Sequence, residues 1–233
     1  MRPSMRTTMM AAATLALVLM MTPTPGGAEV VGGAKPPATE AGADRSPSSD
    51  GWVAGGSAET TVGSPYALVD TRGDSLYTGG DIISIRVVEW PYTPPPAYRQ
   101  NEVRLILVAK GLADLYTSPQ WVIGYSNIQW AIDVNGGAAD FFVNGWNDGS
   151  APRGDMVRAD GSGVACEVSF GATPPPKPKF TLIFDRSCLS SPPWIRAAAR
   201  LEFDKFPTDP QAPISLDRSP NGGRFTPRVT PAT

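Results

Sequence analysis

From residue 82 onward the chain is built of short runs in which apolar and polar positions alternate, the period of a half-buried strand. In IISIRVVEW, Ile83, Ile85 and Val87 share one face while Ser84, Arg86 and Val88 share the other, and in EVRLILVA the residues Val103, Leu105, Leu107 and Ala109 fall together. The pattern returns with Ile128, Trp130 and Ile132, then with Val164, Cys166, Val168 and Phe170, then with Phe180, Leu182 and Phe184. It ends with Ile195, Ala197, Ala199, Leu201 and Phe203. This last segment, WIRAAARLEF, also admits a helix, since Ala and Arg favour one and Pro192 and Pro193 suit its start. Its unbroken alternation favours a strand.

The connections are turn-rich: PYTPPPAYRQ, DVNGGAAD, ADGSG and GATPPPKPK. In the third, Arg158 to Gly161 signals a hairpin, because glycine tolerates the positive φ that tight turns require. Roughly eight strands at these spacings, without intervening helices, predict an all-β fold: an antiparallel β-sandwich, jelly-roll or immunoglobulin-like. Trp130, Phe141, Phe180 and Phe184 are its expected large core residues.

The ends of the chain read differently. A basic start (Arg2, Arg6), an apolar run from Met9 to Met21 and small residues ending at Ala28 have the layout of a signal peptide over 1–28. The run is too short for a spanning helix, so no stable membrane span is expected after cleavage, and the mature protein is expected outside the cell. Residues 29–64, rich in Gly, Ala, Pro, Ser and Thr, are expected to form a disordered low-complexity leader. The sandwich is assigned to 65–204 and a Pro-rich tail, draped or loose, to 205–233. Cys166 and Cys188 are the only cysteines. In an oxidising compartment they read as one disulfide, worth about 3 kcal/mol on the chain-entropy argument, with free thiols or an interchain bond as alternatives.

Composition removes several chemistries. The net charge of -2 and the dispersed basic residues argue against nucleic acid as a partner. The chain has no histidine, which removes Ser-His-Asp and Cys-His nucleophiles, histidine-ligated zinc and histidine-held haem. A glycosidase built on two of the 22 Asp and Glu residues stays open, although Glu89, Glu102, Glu167 and Glu202 are expected on solvated faces or strand ends. Arg-Gly-Asp occurs at 72–74 and 153–155, both in predicted loops; three residues are a weak adhesion signal.

Two oxygen-rich turns remain. DTRGDSLYTGGDI carries Asp70, Asp74 and Asp81, and DVNGGAAD carries Asp133, Asn135 and Asp140. Their glycines would let carboxylates and carbonyls converge on calcium, while the simpler reading is a turn whose Asp and Asn bond their own backbone. Neither matches an EF-hand.

The order of DxxGD, GDI and a strand, then a Trp-x-Ile-Asp strand with a glycine turn, then DRSCLSSPPWIR and DRSPNGGRFTPRV, resembles a group of secreted bacterial β-sandwich proteins. These are related in pattern to the calcium-bearing carbohydrate-binding modules of family 9 and the DOMON-like type. The resemblance covers residues 67 to about 228. It implies a sandwich with ligand or calcium near the first acidic loop, at Asp70, Asp74 and Asp81; Asp133 and Asp140, in a turn with its own reason to exist, stay second-choice ligands. Without a histidine the chain departs from the haem-binding members, and it offers no matched stacking pair of Trp. Trp90, Tyr92, Tyr98, Trp121 and Trp146, at loop ends, are the rings available to stack on a sugar. The expected function is a secreted, non-catalytic module binding an extracellular glycan, with structural calcium. A cell-envelope protein that binds another protein is the alternative, followed by a secreted hydrolase or its accessory domain.

Overall fold

A computed structural model describes residues 60–70, 80–89, 101–221 and 224–231. Its strands are β1 (Thr61–Gly63), β2 (Tyr66–Val69), β3 (Asp81–Glu89), β4 (Glu102–Lys110), β5 (Asn127–Asp133), β6 (Phe141–Asn147) and β7 (Pro152–Arg158). Then come β8 (Ser169–Ala172), β9 (Lys179–Asp185), β10 (Arg196–Phe203), β11 (Ser215–Ser219) and β12 (Arg228–Thr230). Two antiparallel sheets of five strands pack face to face, one ordered β2-β3-β4-β9-β8 and the other β11-β10-β5-β6-β7. The expected all-β sandwich is therefore the fold. A one-turn helix, α1 (Pro119–Val122), leads into β5. No helix among the described residues is long and apolar enough to cross a membrane.

The core follows the alternation. Leu105 and Leu107 of β4, Ile128, Trp130 and Ile132 of β5, Phe180, Leu182 and Phe184 of β9, and Ala197, Ala199 and Leu201 of β10 all meet in one cluster. The segment that balanced between helix and strand is strand β10, hydrogen-bonded on one side to β5 and on the other to β11. Pairing on both sides fixes its period more firmly than the helix preference of Ala and Arg.

Four expectations change. In β3 the register slips between Ile82 and Ser84, a β-bulge that puts one extra residue in the strand. Ile82, rather than Ile83, therefore joins Ile85 and Val87 in the core. Phe141 is only partly buried, whereas Phe142, on the opposite face, is buried under Phe225. Residues 164–168 are not strand: they carry the chain from β7 in one sheet to β8 in the other. A Cβ at Gly154 would stand 2.7 Å from Val168 Cγ1, so the glycine admits this crossover. Finally, Arg153-Gly154-Asp155 lies inside β7, not in a loop.

The flanking segments also contribute. β11 and β12 lie beyond residue 204, and β12 pairs in parallel with β1, which lies before residue 65. Cys166 and Cys188 form the expected disulfide, tying the crossover to the 3₁₀ turn Arg186–Leu189 that follows β9.

Candidate functional site

Since Ile128, Trp130 and Ile132 point into the core, Asn127, Gln129, Ala131 and Asp133 point out of the other face of β5. The register carries that face across the sheet in rows. One row runs Arg218, Arg200, Gln129, Asn144 and Asp155 from β11 to β7. The next runs Leu216, Glu202, Asn127, Trp146 and Arg153. On the other side of the first lies an apolar patch, where Phe225 covers Ala131, Phe142 and Ala198.

Within the rows the side chains hold one another. Gln129 Nε2 donates to Asn144 Oδ1 at 3.1 Å, and Asn144 Nδ2 donates to Asp155 Oδ1 at 2.7 Å. Asn127 Nδ2 donates to Glu202 Oε2 at 2.7 Å, and the Arg200 guanidinium donates to the other oxygen of that carboxylate. Arg153 Nε donates to Asp148 Oδ2 at 2.6 Å. Hydrogen bonds from Ser150 above all, and from Arg153, hold Asp148 well below the usual carboxylate range. Gln129 is buried, and its Oε1 has no hydrogen-bond partner among the described residues. The arrangement fixes planar amide, carboxylate and guanidinium groups beside a half-buried indole, Trp146.

The other expected ring positions diverge. Trp121 is wholly buried on α1, with its ring centroid 5.2 Å from that of Phe180 and 6.4 Å from that of Phe203. It is a core residue, because the short helix turns it under the sandwich rather than out at a loop end. Trp90, Tyr92 and Tyr98 lie outside the described residues, as does Asp74.

Asp70 and Asp81 are both buried at the β2–β3 end, where Asp70 N donates to Ile83 O at 2.8 Å and Lys110 Nζ stands 3.9 Å from Asp81 Oδ2. Asp217, from β11, reaches the same place: its Oδ2 accepts from Ile82 N at 2.6 Å, satisfying a donor the β3 bulge would leave unpaired. Its presence in DRSPNGGRFTPRV was the only sequence signal for it. Among the described residues no group of three Asp, Glu, Cys or His is placed to hold a metal.

In DVNGGAAD the oxygens serve the turn. Asp133 Oδ1 accepts from the backbone N–H groups of Asn135, Gly136 and Gly137 at 2.9, 2.7 and 3.2 Å, and its Oδ2 accepts from Arg196 Nε at 2.5 Å. Asp140 accepts from Val134 N at 2.8 Å and from Asn135 Nδ2 at 2.6 Å.

One carboxylate expected on a solvated face is buried instead. Glu89, at the end of β3, is 1 % exposed and stands 3.1 Å from Arg186 Nε, while the Arg186 guanidinium also donates to Pro192 O. Burial outweighs the arginine and pushes the Glu89 carboxyl up to about 7. Glu89 is in phase with Ile85 and Val87, so the alternation already placed it on the core face, and it was its charge that argued for solvent.

No family model matches the chain, and no curated protein matches it.

Proposed function

We propose that this protein is an exported, non-catalytic module whose outer β11-β10-β5-β6-β7 face binds a glycan. The observation that carries the reading is the pair of adjacent rows of polar side chains, with Trp146 set among them between Asn127 and Arg153. Amides and carboxylates fixed in a plane suit the donor and acceptor pairs of sugar hydroxyls, and an indole at their edge supplies the flat apolar contact that a pyranose face takes. The rows are held by their own hydrogen bonds before any ligand arrives, which lowers the ordering cost of binding.

Export is supported by the signal-peptide layout and by the disulfide, a bond that persists in oxidising compartments. The reading includes a structural calcium at Asp70, Asp74 and Asp81, supported by the resemblance and by the burial of Asp70 and Asp81 at neighbouring positions.

The test is a titration of neutral oligosaccharides followed by Trp fluorescence, run with calcium and with chelator. Saturable binding is expected, weakened at least about tenfold by Trp146→Ala, the loss of one stacking contact of about 1.4 kcal/mol. Chelator is expected to lower the melting temperature. Absence of binding across a broad panel, with a protein partner recovered instead by envelope crosslinking, would overturn the glycan reading in favour of the interaction protein.

A further inference from the structure

We propose that Arg228, stacked on Trp194 beside the glycine turn, is a second recognition site that takes a carboxylate, with a hexuronate as its sugar form. The site lies at the edge of the same sheet, where Ile195 bridges Val229, and is separated from the polar rows by the Phe225 patch. It does not depend on the role proposed for Trp146.

Charge and preorganisation both favour a carboxylate here. Ile195 bridges Val229 across the sheet edge, which sets Arg228 opposite Arg196, and Arg196 in turn lies opposite Asp133. Two guanidiniums thus share one row with one carboxylate. Asp133 accepts from Arg196 and from three backbone N–H groups, so it has no capacity left for Arg228. Asp140 is engaged within the turn through both oxygens. Among the described residues Arg228 has no anionic partner.

Its guanidinium is nevertheless held in place. The Arg228 Cζ lies 4.4 Å from the Trp194 ring centroid, just as Arg196 lies over Phe225 at 5.4 Å. Stacking on an aromatic face leaves the edge of the guanidinium, with its fork of donors, directed at what approaches from the side. The glycine turn lies against that flank. A Cβ at Gly136 would stand 3.4 Å from Arg228 Nη2 and 4.0 Å from Trp194 Cη2. Gly136 has φ +92°, so the conformation that forms the turn also excludes a side chain from the flank of the arginine. Arg228 and Trp194 are both partly exposed. A planar carboxylate matches the fork through two parallel, charge-assisted hydrogen bonds and supplies the missing negative charge.

The test titrates sodium glucuronate and glucose into the full mature protein and follows Trp fluorescence, with Trp194→Phe identifying the reporting ring. Glucuronate is expected to bind at least about tenfold more tightly than glucose, the advantage of a charge-assisted fork. Arg228→Gln is expected to erase that preference, and Arg228→Lys to recover part of it by keeping the charge without the fork. The preference for glucuronate over glucose should persist in Trp146→Ala even where neutral oligosaccharide binding is lost, so the two sites fail or stand separately. Equal affinity for the two sugars would overturn the proposal, as would full glucuronate affinity in either folded Arg228 variant, their melting curves establishing that they fold.

Discussion

At the scale of single residues, two buried carboxylates show how surroundings set the role of a group. Asp133 is wholly buried, yet three backbone donors and an arginine replace the water it gives up. Glu89 is as deeply buried and has one arginine, so its neutral form is favoured. Its folded pKa of about 7 lies above the model-peptide value of 4.5, so the folded state holds the proton more tightly than the unfolded state. The stability this contributes is full below pH 4.5 and lost as pH rises through about 7, up to roughly 3 kcal/mol for a shift of this size. Denaturation of the wild type between pH 5 and 8 should show that decline, and Glu89→Gln should flatten it. An identical slope in the variant would remove Glu89 as its source.

At the scale of elements, the alternating runs made most of the central strands legible, including β10 against its helical preference. What alternation could not carry was phase and partnership. The β3 bulge moves Ile82 inward and Ile83 outward, and it is Asp217, 135 residues away, that accepts the N–H of Ile82. A local pattern holds no trace of such a partner. The same holds for β11 and β12, short strands in a Pro-rich segment whose few apolar residues gave no period, yet β11 covers the edge of β10 along five residue pairs. Truncation after Asp204 should therefore expose that edge and destroy the cooperative melt. A truncated chain that melts as sharply and as high as the full one would show that 205–233 are dispensable.

At the scale of the whole molecule, the sandwich is closed by ties between segments distant in sequence. Trp121 seals the core beneath α1, Asp217 joins the edge of one sheet to β3 of the other, and Cys166–Cys188 anchors the crossover to the turn after β9. The disulfide restricts the unfolded chain, so replacing both cysteines with serine should cost about 3 kcal/mol in chemical denaturation. A loss near zero would mean that the crossover is held by packing alone. The candidate surface belongs to this scale too, because its rows draw one residue from each of five strands.

The amino-acid sequence alone determined the all-β class, most core positions and the cysteine pair, because period-two burial and a lone pair of thiols are local or compositional properties. It also pointed to Trp146 and to the hairpin character of DVNGGAAD. Tertiary structure decided the phase of β3, the burial of Glu89 and Trp121, and the strands made from the flanking segments. It alone assembled Gln129, Asn144, Asp155, Asn127 and Glu202 into one face, and set Arg228 beside an arginine whose carboxylate was already taken. Each of these depends on which strand lies next to which, and adjacency across a sheet is fixed by long-range pairing rather than by any neighbour in the chain.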